Sequence, residues 1–261
     1  MRNIWTIAKR EYDHYFISPV AYVVAFLILL TTGALFIYYL SAFIQNAFQS
    51  FGQVPDISPI IGSFAFLLVL TIPALTMRLI ADEARMGTLE LLLTAPVRDF
   101  ELIAGKWLGG FLFILSILAV TLIYPIILNG VAIGKVTILP PMVTPGIDRL
   151  LMLSSYLGVI LVAAAFLALG VGISAIFTNQ IAAFFATLIT FIILWWLIGF
   201  PANSLPPGGA QQFFQFLDMK THFYNAFNAG SIAITDIFYF LSLIALGLFI
   251  GTTAVEVRRW R

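Results

Sequence analysis

The stretch Leu150–Phe177, LLMLSSYLGVILVAAAFLALGVGISAIF, runs without a single charged side chain. As a helix at 1.5 Å per residue it would be roughly 40 Å long, more than the hydrocarbon thickness of a bilayer, about 30 Å. Lipid offers no water to the backbone, so such a run must satisfy its own peptide groups, as a helix or in a closed barrel. Barrel strands alternate apolar and polar residues, and this stretch does not. Five further runs of the same kind lie at Pro19–Leu40, Pro59–Met77, Lys106–Ile133, Ile181–Phe200 and Ile237–Val257. The fold class expected is therefore an all-α integral membrane protein with six transmembrane helices. Residues 1–261 read as one membrane domain.

Composition agrees. Only 10% of the 261 residues are charged, where a soluble domain carries about 25%. So few charges cannot cover a solvated surface, which excludes a soluble enzyme, and nothing is polar enough for disorder. The net charge is +1 and no basic stripe invites nucleic acid. Without cysteine there is no disulfide scaffold and no thiolate metal site. The first run begins too late and is too long for a secretory signal peptide, and no small-residue cleavage site follows it. Ser18 and Pro19 instead resemble an N-cap and the first residue of a helix.

Charge asymmetry orients the spans. With both termini cytoplasmic, the inner segments hold Arg2, Lys9, Arg10, Arg78, Arg85, Arg98, Lys106, Arg258, Arg259 and Arg261, against Lys135, Arg149 and Lys220 outside. Ten against three obeys the positive-inside rule. Ahead of the first span, Ile4, Trp5, Ala8, Tyr12, Tyr15 and Phe16 recur at helical spacing, with Arg2, Lys9, Arg10, Glu11 and Asp13 largely on other faces. Residues 2–16 are thus expected to form an amphipathic helix in the cytoplasmic interface, as an anchor or as a partner contact.

Several chemistries are missing. The expected spans carry no ionisable residue in their interiors, whereas carriers coupled to ions place such groups there. His14 and His222 are isolated in sequence and read as wet surface residues. Gly172-Ile173-Ser174 lacks the second glycine of a nucleophile elbow. Neither Gly105-Lys106 nor Gly134-Lys135 completes a phosphate-binding loop. No catalytic residue, metal ligand or cofactor is assigned to the chain. Small residues give packing faces: Ala164, Ala168 and Gly172 form one row, and Gly247-x-x-x-Gly251 another. These rows read as packing within the chain in preference to a dimer contact. Pro73 and Pro125 are expected to kink their helices.

The richest non-membrane segment is 78–105, with Ala81-Asp82-Glu83-Ala84-Arg85-Met86-Gly87-Thr88-Leu89-Glu90-Leu91-Leu92-Leu93-Thr94-Ala95-Pro96-Val97. Asp82, Glu83, Glu90, Asp99 and Glu101 are five of the twelve acidic residues. Gly87 ends one helix and Thr88 can cap the next, placing Glu90 in a first turn that favours negative charge. Pro96 stops that helix, and Asp99 can cap the one entering the third span. A short helix, Leu89–Ala95, should present Leu89, Leu92 and Leu93 either to a groove on a soluble partner or to lipid. The second long loop, 201–236, lies outside and carries Pro206-Pro207-Gly208-Gly209 and an aromatic stretch.

The order Glu83-x-Arg85-x-Gly87-Thr88-x-Glu90-x-Leu92-x-x-x-Pro96, followed by Lys106, resembles the E-x-x-x-G-T-x-E-x-L-x-x-x-P pattern of ABC-2 transporter permeases. The likeness extends over essentially the whole chain. The run Thr221-His222-Phe223-Tyr224-Asn225-Ala226-Phe227, with Thr235-Asp236-Ile237-Phe238-Tyr239-Phe240, is similar to the gliding-motility-associated, GldF-like branch. The resemblance implies a multi-pass protein of the bacterial inner membrane and a second permease subunit, identical or homologous. It implies two copies of a separate ABC ATPase that bind ATP and Mg, and outward transport. Glu83, Arg85, Gly87, Thr88, Leu89, Glu90, Leu92 and Pro96 would then form the ATPase-coupling element. Trp5, Lys9, Arg10 and Tyr12 of the interfacial helix would lie beside it. The GldF-like branch further implies an auxiliary membrane protein with a periplasmic domain. A subunit that passes ATPase-driven motion to such a partner without transporting anything is the alternative. A secondary carrier or channel is disfavoured by the uncharged spans.

Overall fold

The structure is a computed structural model that describes residues 2–45, 56–87, 97–132 and 147–259. Among the described residues there is no strand, and six helical stretches are long and apolar enough to cross a membrane. Helix α1 spans Arg2–Tyr15 and α2 Pro19–Gln45. Helix α3, Ser58–Thr76, continues through a turn into the short α4, Ala81–Arg85. Helices α5, Asp99–Thr121, and α6, Ile123–Ala132, form the third span. Helix α7 covers Arg149–Ile176. Helix α8, Gln180–Ile192, runs into a π-helical turn at Ile193–Leu197. Short helices α9, Phe200–Ser204, α10, Gly209–Leu217, and α11, Met219–Thr221, precede the last span, α12, Ile234–Arg259.

Helix α7 is the axis of the bundle. In its apolar window 78% of residues are buried, against 22% in each of the spans built on α8 and α12. Its small-residue face explains why. A Cβ on Gly172 would stand 2.5 Å from the Gly247 carbonyl oxygen, and one on Gly247 would stand 2.4 Å from the Ala168 backbone. The two rows read from sequence therefore pack against each other inside one chain, backbone to backbone. On the other flank Trp107 Nε1 donates to the Ala164 carbonyl at 2.9 Å. Phe166 stacks on Phe191 with 4.2 Å between ring centres.

The third span breaks where proline requires it. Pro125 has no N–H for the carbonyl four residues back, and the helix interrupts at Leu122. The freed Thr121 carbonyl accepts from Tyr156 Oη at 3.0 Å instead. Pro73 sits within α3, whose regular helix ends three residues later.

The cap of the helix entering the third span differs from expectation by one residue. The helix that enters the span begins at Asp99, so Lys106, expected as the first residue of the apolar run, lies two turns inside it. Arg98, not Asp99, is the N-cap: the Glu101 carboxylate accepts its N–H at 3.3 Å. Asp99 instead pairs with Arg259 at 2.7 Å, joining α5 to the end of α12.

The segment 201–236 also departs from a simple loop. It turns through three short helices, then a π-helical turn, His222–Ala226, and a 3₁₀ turn, Phe227–Ala229. Met219, Phe223 and Phe227 are fully buried. A Cβ on Gly158 of α7 would meet Phe227 at 2.5 Å, so this glycine makes room for the ring. His222 is buried as well, not a wet surface residue. Its Nδ1 lies 2.6 Å from Asp236 Oδ1, its Nε2 lies 2.7 Å from the Phe216 carbonyl, and it stacks on Tyr239.

Candidate functional site

The site lies at the end of the bundle shared by α1, the α3–α4 junction and the start of α5. Its floor is set by glycine. Gly105 and Gly109, one turn apart on α5, receive α1 so closely that a Cβ at either would stand 2.7 Å from Ile7 or 2.6 Å from Glu11. The buried stripe of α1 is Ala8, Glu11 and Tyr15. Trp5 and Phe16, expected on the apolar face of that helix, are exposed in this chain. Helix α1 thus packs on protein through a face that carries an inward-pointing carboxylate.

That carboxylate meets Lys106, whose side chain is 1% exposed. Lys106 Nζ donates to Glu11 Oε1 at 3.1 Å and to Glu83 Oε1 at 2.8 Å. Arg10 donates to Glu11 at 2.8 Å and reaches Glu83 at 3.9 Å. Two cations and two anions from three elements therefore close into one neutral cluster. A lone buried ammonium would be prohibitive, and the paired carboxylates are what make it tolerable. Burial pushes the Glu11 carboxyl up, but Lys106 and Arg10 outweigh burial and hold it below the ordinary carboxylate range. Hydrogen bonding to Glu11 in turn raises the Arg10 guanidinium.

Helix α4 is fixed from behind. Ser174 of α7 is fully buried, and its hydroxyl accepts from the backbone N–H groups of Ile80 at 3.4 Å and Ala81 at 3.2 Å. Asp82 and Arg85 pair along α4 at 3.0 Å. Gly87 then takes φ +73°, a left-handed conformation that ends the helix and that side-chain-bearing residues rarely adopt.

Of the coupling residues read from sequence, Glu83 sits in the cluster, Arg85 beside it and Gly87 at the turn. Thr88, Leu89, Glu90, Leu92 and Pro96 lie outside the described residues, as does the expected helix Leu89–Ala95. In α1, Arg10 joins the cluster. Trp5, Lys9 and Tyr12 border a separate shallow cleft of about 410 Å³ on another face. Sequence reasoning missed Glu11 and Lys106 as partners. The available signals were a carboxylate three residues after Ala8 and four before Tyr15, and a Gly-x-x-x-Gly spacing at Gly105 and Gly109. The geometry offers no nucleophile with a base, and no group of three or more metal-ligating side chains occurs among the described residues.

A search of curated proteins finds no match to this chain. A protein-family comparison does: the family described as ABC-2 family transporter protein matches residues 5–256, nearly the whole chain. With its six apolar helices, this chain is a multi-pass membrane protein that belongs to the ABC-2 transporter family.

Proposed function

We propose that this chain is the permease subunit of an ATP-driven exporter in a bacterial inner membrane, energised by a separate ABC ATPase. Residues 1–261 act as one membrane domain with both termini cytoplasmic, a reading that rests on the ten-to-three distribution of basic residues. ATP and Mg are bound by two ATPase copies, which dock on segment 78–105 through Thr88, Leu89, Glu90, Leu92 and Pro96. A second permease subunit, identical or homologous, completes the pathway.

The observation that carries the reading is the ion cluster. Glu83 stands at the root of the proposed docking segment and is tied through Lys106 to the third span and to α1. Ser174 ties the same root to α7. A push on segment 78–105 is therefore delivered to two spans and α1 together. Packed elements of this kind move as units and do not deform continuously.

The similarity of Thr221–Phe227 and Thr235–Phe240 to the GldF-like branch supports a gliding-motility system with an auxiliary periplasmic partner. One observation favours the second reading, transmission of force to that partner. Helix α10 buries none of its residues in this chain and exposes Phe213 and Phe216. The test is co-purification of the chain with the ATPase encoded beside it, then repetition with Glu90→Lys. A stable complex with ATPase activity, lost in the variant, is expected. Failure of the wild-type chain to form any complex would refute the proposal.

A further inference from the structure

Beside the ion cluster lies a cleft of about 510 Å³, within the range of small-molecule sites, about 300–1,000 Å³. Its two halves differ in chemistry. One half is ionic, with Arg10, Glu11, Asp82, Glu83 and Lys106, joined at the mouth by His14 and Arg78. The other half is apolar, with Val20 and Ala21 from the start of α2, Ala74 and Leu75 from the end of α3 and Leu79 from the turn that follows it.

The ionic lining holds three cations against three carboxylates, but Arg85, from outside the cleft, takes Asp82 and so leaves one lining cation without a carboxylate. Glu11 and Glu83 are held by Lys106 and Arg10, and Asp82 by Arg85. Among the described residues, no acidic side chain pairs with Arg78 or His14. Any anion entering would meet one uncommitted guanidinium and one imidazole, with the buried Lys106 ammonium behind them. The apolar half has its own direction. It adjoins the first turns of α2, whose Tyr22, Val23, Phe26, Leu27 and Leu30 are exposed over the following turns. The cleft sits at the ends of two spanning helices, where head groups would give way to acyl chains if those helices cross a bilayer.

We propose that this cleft binds one anionic phospholipid, its phosphate at Arg78 and His14 and the first part of an acyl chain along Val20, Ala21 and Leu75. Basic pockets between spanning helices hold acidic head groups by the same logic. The lipid would wedge between α1 and the α3–α4 junction and brace the ion cluster from its open side. The inference rests on the six spans lying in a bilayer. It does not depend on the ATPase, so failure of either leaves the other intact.

The test uses the full-length chain purified in detergent and exchanged against phosphatidylglycerol, phosphatidylcholine or glycerol 3-phosphate, with occupancy read by native mass spectrometry. The expected result is a single retained phosphatidylglycerol, weak retention of phosphatidylcholine, and no retention of glycerol 3-phosphate. The double variant R78Q/H14Q should lower phosphatidylglycerol affinity at least about tenfold. The variant R149Q, an equal change of charge at the opposite end, should leave it unchanged. Tryptophan-detected unfolding, available because the chain has five Trp, verifies that each variant is folded. Equal retention of the two lipids, or equal losses in R78Q/H14Q and R149Q, would overturn the proposal. Tight binding of glycerol 3-phosphate alone would also overturn it, in favour of a soluble phosphate ester.

Discussion

Replacing Lys106 with Met keeps the length of the side chain and removes its charge. The Glu11 and Glu83 carboxylates, now 10% and 18% exposed, would face each other with no ammonium between them. Each lost contact, near 3 Å, carries roughly 5 kcal/mol of Coulomb attraction at an effective dielectric of about 20, before desolvation is counted. Desolvation reduces this greatly, and removal of one member of a buried pair typically costs about 3–5 kcal/mol. Arg10 remains 2.8 Å from Glu11 and 3.9 Å from Glu83 and offsets part of the loss. The low end, about 3 kcal/mol, is therefore expected. For a chain of this size that lowers Tm by roughly 6–12 °C. The assay is tryptophan-detected thermal unfolding in detergent, with K106M, E11Q, E83Q and their combinations. The triple variant, which leaves only the half-exposed Arg10 charged, should recover most of the loss, because well-packed neutral replacements of buried charges are often tolerated. A K106M protein melting within about 1 °C of wild type would refute the reasoning, since roughly 2–4 °C is expected for every kcal/mol.

Acidification should act on the same cluster. The Glu11 carboxyl is held below its ordinary value of 4.5, so its contribution is complete above that value and lost as pH falls through the lowered one. E11Q should flatten that part of an acid-unfolding curve. Gly172→Val and Gly247→Val place methyl groups against backbone less than 3 Å away and should abolish folded expression, whereas Gly209→Ala, with open space around it, should be silent in size-exclusion profiles. Tyr156→Phe leaves the Thr121 carbonyl without its donor and should cost about 1–2 kcal/mol in thermal unfolding. Adding Pro125→Ala, which supplies a backbone N–H, should restore part of it.

Much of the fold was legible because lipid imposes long apolar runs. The Leu150–Phe177 run, for instance, appears as α7 with its ends shifted by one residue. The small-residue rows were legible too, since backbone contact demands small residues at fixed spacing. The role of Lys106 was not legible, because a charge in one dimension marks only the end of an apolar run. Its partners lie 95 and 23 positions away, and only folding brings them within 3.1 Å. His222 was taken as solvated for the same reason, its Asp236 being fourteen residues distant and its stacking partner on another helix. Segment 201–236 hid its structure because its helical pitch changes within a few residues, so no single period describes Met219–Ala229.

The chain has no cysteine, so one introduced thiol is unique. The most direct test of an ATPase docking at segment 78–105 is therefore photo-cross-linking of the co-expressed complex from a benzophenone maleimide, which inserts into C–H bonds of whatever lies beside it, attached at T88C and, at the opposite end, at S231C. The expected result is a permease–ATPase adduct from T88C, its yield changing when ATP is added, and none from S231C. An adduct from S231C, or none from T88C in a complex that still co-purifies, would contradict the account.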